Sequence, residues 1–253
     1  TMGIIFLIPF IVFLSRSMLP RELIRRLGIV VLLAALAASF GWIMVASGLV
    51  DRPWVNAYKL TLHLAIGIAV LISLFWTVLC VEIPKMRIIE KKTKSMAKLL
   101  VTLLVIQILL GGLMSGMKAG LFYPTWPDMN GTFFPQIIFN NSHYNVDSIV
   151  NYDTNPFMSA WVQILHRTFA YLIFVYGLYF AVRLFRKNLG LYSNFPLTLF
   201  VLLLFTQVVL GIVTLVLSKG SIPVFYGVLH QGFGILLLAS AVYFLFIFRK
   251  NMV

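Results

Sequence analysis

The chain has 253 residues, of which 61% are hydrophobic and 11% are charged, and its formal net charge is +13. A soluble domain of this length cannot bury so much apolar surface in one core. The basic residues lie in short connectors between apolar blocks, which predicts a lipid bilayer as the main partner and no nucleic acid.

The first apolar block, 3–14, is too short to cross a bilayer comfortably. We interpret it as part of a helix whose first turns lie upstream of Thr1. Later blocks are each about 20 residues long, which is the length of a transmembrane helix. The sequence therefore predicts an all-α, polytopic transmembrane helix bundle with one partial N-terminal span and six full spans, at 28–49, 59–82, 98–118, 159–183, 196–218 and 226–248.

The connectors alternate between basic and nearly neutral, which predicts the orientation of the spans. Five basic residues fall on one side, namely Arg52, Lys59, Lys118, Arg167 and Lys219. Fifteen fall on the other side, namely Arg16, Arg21, Arg25, Arg26, Lys85, Arg87, Lys91, Lys92, Lys94, Lys98, Arg183, Arg186, Lys187, Arg249 and Lys250. The richer side is expected to face the cytoplasm, or the matrix in a mitochondrion, so the C-terminus is predicted to lie inside.

One outside connector is long, from about Ala119 to Ala160, and it contains the run Phe122-Tyr123-Pro124-Thr125-Trp126-Pro127-Asp128. Loops of this length are usually functional or disordered. Trp and Tyr favour the membrane interface, so the loop is expected to lie at the interface and to cover any site inside the bundle.

A weak internal repeat predicts two pseudo-symmetric halves, 1–97 and 98–253. Its first copy runs from Gly41 through Ser47 to His63 and Gly67, and its second copy consists of Gly211, Ser218, His230 and Gly234. Each copy is predicted to be a helix, a short outside turn and a helix with a histidine near its outer end. Membrane proteins often place sites where such matched helices face each other.

Three histidines, His63, His166 and His230, are predicted at similar depth inside three different spans. Ionisable residues within spans usually mark a site, and imidazoles on facing helices can bind a haem iron from both sides. The alternative is that each histidine bonds a neighbouring helix, but three at matched depth favour the haem hypothesis. His143, in the long loop, is not expected to be a ligand.

Cations near these histidines have two interpretations of equal weight. Lys59 lies one turn before His63, Arg167 adjoins His166, and Lys219 precedes the helix of His230. They could bind the propionates of a haem, or they could be interfacial residues that extend towards water. Among other classes of site, the single cysteine, Cys80, excludes a cysteine metal cluster, and no carboxylate pair is placed to bind a magnesium diphosphate.

At this point the sequence resembles the haem A synthase family over nearly its whole length. The matching residues are Gly3, Phe6 and Pro9; Gly41, Met44, Val45, Ser47, Gly48, Leu49, Pro53, Tyr58, Lys59, Leu60, His63 and Leu64; Ala119, Gly120, Trp126, Pro127, Met129, Asn130 and Gly131; Val162, Gln163, His166 and Arg167; and Leu229, His230 and Gln231.

The resemblance implies eight helices in two similar halves, and an oxidoreductase that converts a methyl group of haem O to the formyl group of haem A. It implies a resident haem b, with its iron held between His166 and His230 in the C-terminal half. His63, with Lys59, would then belong to the half that binds the substrate haem O. A haem O synthase and an electron acceptor are the implied partners, besides the lipid bilayer.

Two departures from the family pattern affect these expectations. The family's first helix and the start of its second have no counterpart here, and they carry the first histidine of the N-terminal pair and a glutamate one turn before it. The catalytic acid is therefore expected upstream of Thr1, and a chain that truly lacked it would be inactive. Lys59 stands where the family commonly has arginine.

Two other functions fit the same residues. One is a bis-histidine b-type cytochrome that transfers electrons and leaves the porphyrin unchanged. The other is a non-enzymatic haem carrier or oxidase assembly factor. The haem A synthase hypothesis is favoured, in a bacterial cytoplasmic membrane rather than a mitochondrial inner membrane.

Overall fold

A computed structural model describes residues 2–46, 54–83, 91–187 and 191–248, and most of these residues are helical. The α-helices in these ranges are α1 (Met2–Ser15), α2 (Arg21–Ala46), α3 (Ala57–Glu82), α4 (Lys91–Gly116), α5 (Val146–Val150), α6 (Phe157–Phe185), α7 (Leu191–Val216) and α8 (Val224–Ile247). Among the predicted features, Ser47 and the basic residues Arg52, Lys85, Arg87, Arg249 and Lys250 lie outside the described residues.

Six of the described helices, α2, α3, α4, α6, α7 and α8, are long and apolar enough to cross a membrane, and α1 is a shorter apolar helix. This confirms the predicted all-α bundle of six full spans with a partial span before them. In lipid a helix satisfies all its backbone hydrogen bonds internally, which is why apolar blocks of this length take this form.

The helices α2 and α4 begin earlier than the predicted spans 28–49 and 98–118. Each starts about two turns earlier, at Arg21 and Lys91, in a stretch rich in arginine or lysine. These residues are good helix formers, and their long side chains reach the aqueous interface from a helix end. The apolar block therefore marks the membrane-buried part of each helix and not its full length.

Contacts between helices divide the chain into two compact units, one containing α1 to α3 and the other α4 to α8. In the first unit, α2 and α3 pack along each other. Asn56 caps the start of α3, because its side-chain oxygen accepts hydrogen bonds from the backbone N–H groups of Tyr58 and Lys59. The cap fixes where α3 begins, and His63 is the seventh residue of that helix.

In the second unit, four long helices form a closed ring: α4 contacts α6 and α8, and α7 contacts the same two helices. The hydroxyl of Tyr176 on α6 donates a hydrogen bond of 3.2 Å to the carbonyl of Met96 on α4. The lysine-rich start of α4 therefore lies at the same end of this bundle as the Arg183 end of α6.

That basic end of the second unit is closed by three fully buried aromatic rings, Phe180, Phe200 and Phe244. Their ring centres are 5.6 to 6.1 Å apart and their planes are nearly perpendicular, an arrangement that favours aromatic packing. We call these three residues the aromatic plug. Gly177 brings α6 close to α7 here, since a Cβ at Gly177 would lie 2.9 Å from Leu204 Cδ2.

Between α4 and α6 the predicted long loop contains α5 and three short 3₁₀ turns, at Ala119–Leu121, Gln136–Phe139 and Asn141–His143. The loop packs on the bundle through buried side chains, among them Met129, Ile138 and Tyr152. It ends at Phe157, three residues before the predicted end of the loop, where Asn155 accepts a hydrogen bond from the backbone N–H of Phe157.

Candidate functional site

The rings of His166 on α6 and His230 on α8 face each other in the second unit. Their centres are 6.4 Å apart and their planes make an angle of 71°. A metal–imidazole bond is about 2 Å long and the ring centre lies about 1.1 Å behind the bonding nitrogen, so imidazoles on opposite sides of one metal have centres about 6.3 Å apart. The observed separation therefore suits one metal bound between the two rings.

The other donors around this pair suit a porphyrin better than a bare ion. Within the described residues there is no group of three or more His, Cys, Asp or Glu side chains that could hold a metal. A haem iron takes its remaining ligands from the porphyrin and needs only the two axial ones from the protein. The Nδ1 atoms of both histidines are buried without a hydrogen-bond partner.

Each histidine of the pair packs against a glycine on a neighbouring helix. A Cβ added at Gly211 on α7 would lie 3.0 Å from His230 Cε1, and one added at Gly111 on α4 would lie 3.4 Å from His166 Cε1. Both glycines lie five residues before the end of their helix. The space left by the missing side chains is therefore occupied by the imidazole rings.

Two glutamines contact the same rings. Gln107 Nε2 on α4 lies 3.3 Å from His166 Nε2, and Gln207 Nε2 on α7 lies 3.5 Å from His230 Nε2. Gln107 Nε2 also donates a hydrogen bond of 3.0 Å to the carbonyl oxygen of His166. Each ring nitrogen that could bind a metal thus has an amide nitrogen beside it.

In the first unit, His63 on α3 packs against Gly41 on α2 in the same way. A Cβ at Gly41 would lie 3.0 Å from His63 Cε1. Gly41 lies five residues before the end of α2. His63 and His230 are each the seventh residue of their helix. This unit contains no second histidine among its described residues, so the structure does not pair His63 with another imidazole within it.

The glycines one turn after two of the histidines differ in their surroundings. A Cβ at Gly67 would meet nothing within 4 Å, whereas one at Gly234 would lie 3.0 Å from Gln207 Nε2. A side chain at Gly67 would therefore enter open space, whereas at Gly234 it would meet the Gln207 amide.

Arg167, expected either to bind a propionate or to extend towards water, contacts the long loop in the structure. Its guanidinium donates hydrogen bonds to the backbone carbonyls of Tyr123, Thr125, Pro127 and Asp128, at 2.7 to 3.4 Å. Nε of the same side chain is buried without a partner. Most of its donors are therefore used to fix the loop next to His166.

Two further residues on the same face of α6 contact the loop. Gln163, one turn before Arg167, is fully buried and donates a hydrogen bond of 2.8 Å to the carbonyl of Tyr123. Tyr171, one turn after Arg167, accepts a hydrogen bond of 3.2 Å from Trp126 Nε1. Residues four apart share a helix face; we call Gln163, Arg167 and Tyr171 the loop clamp.

The loop segment held by the clamp is tightly folded. Thr125 Oγ1 accepts a hydrogen bond of 2.6 Å from the backbone N–H of Asn130, and Asn130 Nδ2 donates one of 2.9 Å to the carbonyl of Phe122. Gly131 has a φ of 90°, a conformation that favours glycine. Partial burial raises the pKa of the Tyr123 phenol above its ordinary value.

The remaining predicted residues lie nearer the surface. Lys59 is in the first turn of α3, one turn before His63. Lys219 is exposed in the turn between α7 and α8. His143 lies in the long loop and stacks on Phe157 with ring centres 5.5 Å apart.

Gln107, Gln207 and Gly111 are not among the site residues predicted from the sequence. The signal was present as a second repeat, Gln-x-x-x-Gly, at 107–111 and again at 207–211. A glutamine within a transmembrane span usually bonds a partner on another helix, so its recurrence one turn before a glycine would have identified both residues.

Comparisons with known proteins identify the family of this chain. A family described as cytochrome oxidase assembly protein matches residues 1–242. A protein named Heme A synthase from Flavobacterium psychrophilum is 31% identical over 249 residues, which are 98% of this chain and 71% of the relative. The protein of that name from Wolbachia pipientis is 34% identical over 98% of this chain and 67% of the relative.

A third relative named Heme A synthase, from Methylorubrum populi, is 38% identical over 94% of this chain and 61% of the relative. The family match covers more than half of the chain, and relatives above 30% identity align with nearly all of it. The chain therefore belongs to the haem A synthase family, an oxidoreductase family of the membrane.

Proposed function

We propose that this protein takes part in haem A biosynthesis by oxidising a methyl group of haem O to the formyl group of haem A. A b-type haem would be held between His166 and His230, and haem O would bind in the half that contains His63. The observation that carries the proposal is the 6.4 Å separation of the paired rings, in a chain whose relatives are named Heme A synthase.

The residues of the second unit have defined tasks in this proposal. His166 and His230 would hold the haem through imidazole nitrogens, and Gly111 and Gly211 leave room for their rings. The loop clamp keeps the segment 122–132 over the His166 side of the bundle. When bound, the haem supplies one-electron redox chemistry, and the surrounding apolar helices insulate it from water.

Conversion of a methyl to a formyl group takes an oxygen atom from water and releases protons and electrons. The proposal therefore requires an electron acceptor, and haem O must be delivered by a haem O synthase. Lys59 and Lys219 lie near the ends of the helices that carry His63 and His230, and we propose that they attract the propionates of the two haems. Arg167 acts there through the loop that it holds.

The orientation follows from the charges. The basic end of the second unit, with Lys91 to Lys98 on α4 and Arg183 on α6, is proposed to face the cytoplasm of a bacterium, and the histidine pair lies towards the opposite surface. The C-terminal end of α8 is then inside. Reporter fusions after α7 and α8 should show activity on opposite sides of the cytoplasmic membrane; the same side for both would contradict this topology.

The decisive test is to express the chain in a bacterial host that makes haem O but lacks its own haem A synthase. Haems would be extracted from the purified protein and from the membranes and then identified by chromatography. Haem A in the membranes, with haem B in the protein, is the expected result. Haem B without haem A would favour an electron-transfer cytochrome, because the facing histidine pair of the second unit could bind haem B without any conversion of haem O. Protein without haem would contradict both functions.

A further inference from the structure

The contacts of Gln107 define which nitrogen of His166 carries the proton. Gln107 Nε2 donates to the carbonyl oxygen of His166 at 3.0 Å, and a carbonyl can only accept, so the amide nitrogen must be the atom on that side. The same nitrogen lies 3.3 Å from His166 Nε2. An amide nitrogen has only hydrogens to offer, so His166 Nε2 is the acceptor and the ring proton is on Nδ1.

Gln207 makes one of these two contacts at His230, the contact with the ring nitrogen, and within the described residues it has no bond to a carbonyl of His230. Its Nε2 lies 3.5 Å from His230 Nε2, and it stands one turn before Gly211, as Gln107 stands one turn before Gly111. The Nδ1 atoms of both histidines are buried without partners. No other hydrogen bond in the described structure therefore selects the protonation site of either ring.

The first unit has the glycine but not the glutamine. The residue one turn before Gly41 is Ala37, which has no side-chain donor. His63 therefore packs against a glycine as His230 does, but it has no glutamine amide one turn before that glycine.

We propose that Gln107 and Gln207 are positioning residues that prepare His166 and His230 to bind haem. Each favours the tautomer whose Nε2 is unprotonated, which is the form able to bind iron through that nitrogen. The haem role rests on the proposed function, whereas the effect on the tautomer does not. When Nε2 is taken by a metal, Gln107 retains the carbonyl of His166 as its acceptor.

The test uses the full-length chain, purified without haem and labelled with ¹⁵N histidine. The chain has only four histidines, so the ring nitrogen signals can be assigned from His→Ala variants. In the wild-type chain, His166 and His230 should each show one tautomer, with the proton on Nδ1. Gln207→Met, which keeps the length of the side chain but removes the donor, should give His230 a mixture of tautomers and leave His166 unchanged.

Gln107→Met should have the converse effect, on His166 alone. The control is Gln231→Met, because Gln231 is exposed and adjoins His230 on α8; it should change neither ring. A proton on Nε2 of either ring in the wild-type chain would overturn the proposal, as would tautomers that Gln107→Met and Gln207→Met leave unaltered.

A second measurement separates this inference from the proposed function. Haem B is added to the haem-free chain, and the absorbance of the bound haem is followed over time. Each Gln→Met variant should bind haem about two- to fivefold more slowly, since a smaller fraction of its rings is in the competent form. Altered tautomers with no haem bound by any chain would refute the proposed function only. Normal haem binding with unaltered tautomers would refute the positioning role only.

Discussion

The helix pairs α2/α3 and α7/α8 use the same geometry and differ in one contact. In both, a glycine five residues before the end of the first helix receives the histidine at the seventh position of the second, and the Cβ position of the glycine lies 3.0 Å from that ring. They differ one turn earlier, where α7 has Gln207 and α2 has Ala37. Both glycines therefore leave the space in which a ring lies, and only the ring of His230 also has a glutamine amide beside it.

The largest expected effect comes from removing the rings. His166→Ala or His230→Ala should abolish tightly bound haem b, because the haem would keep only one of its two histidine ligands. His63→Ala should retain that haem and lose the conversion of haem O. Extracted haems, normalised to protein, give the measurement. Loss of haem b in His63→Ala together with its retention in His230→Ala would reverse the assignment of the two halves.

A graded effect is expected at the glycines. Gly211→Ala should displace His230 and reduce bound haem strongly, since overpacking of this kind costs about 1–3 kcal/mol. Gly111→Ala should do less, because its Cβ would lie 3.4 Å from the ring and not 3.0 Å. Bound haem per protein, measured by absorbance, ranks the variants.

The matched control for the glycine variants is Gly232→Ala, on the same helix as His230. A Cβ at Gly232 would meet nothing within 4 Å, so the haem content should be unchanged. Equal losses in Gly232→Ala and Gly211→Ala would show that helix flexibility, and not ring placement, explains the effect.

The loop clamp should have an intermediate effect. Arg167→Gln removes most of the four carbonyl contacts, so the segment 122–132 should be cleaved by protease about tenfold faster or more. Arg186→Gln, at the exposed end of the same helix, should leave the cleavage rate at the wild-type value. If Arg167→Gln is cleaved no faster than Arg186→Gln, the loop is held by its buried side chains alone.

The smallest effect is expected from giving the first unit the missing contact. Ala37→Gln places an amide one turn before Gly41, and it should shift His63 towards the tautomer protonated on Nδ1. A hydrogen bond of this kind is worth about 1 kcal/mol, so a shift of a few-fold in tautomer ratio is expected by ¹⁵N spectroscopy. An unchanged ratio would show that the two pairs differ in more than this residue.

The membrane fold could be predicted from the sequence because lipid imposes one strong rule, that a long apolar block becomes a helix. The predicted spans 28–49 and 98–118 begin about two turns after α2 and α4 begin. Hydropathy identifies the apolar part of a helix and not the basic turns before it. The three histidines are predicted from their depth and, for His63 and His230, from the repeated His-x-x-x-Gly spacing; their role as ligands remains a prediction. The proposed halves 1–97 and 98–253 remain a prediction as functional units.

The partners of those histidines could not be predicted in the same way. Gly111 and Gly211 matter through their distance to a ring on another helix, which depends on how the helices pack. Arg167 adjoins His166 in sequence, yet neighbouring residues on a helix point in different directions, and its side chain lies on the loop. Contacts of this kind depend on tertiary structure, so the sequence shows the residue and not its partner.

The aromatic plug gives the four-helix unit one rigid end and one adjustable end. Phe180 and Phe244 each lie fourteen residues beyond the histidine of their helix (166 to 180 and 230 to 244), a distance of about 21 Å along the axis. Close-packed interiors resist deformation, so we expect the helices to be held more firmly at the plug than at the histidine pair. A tilt of about 3° at the plug moves a helix by about 1 Å at its histidine, so a small angular adjustment there sets the width of the gap between the rings.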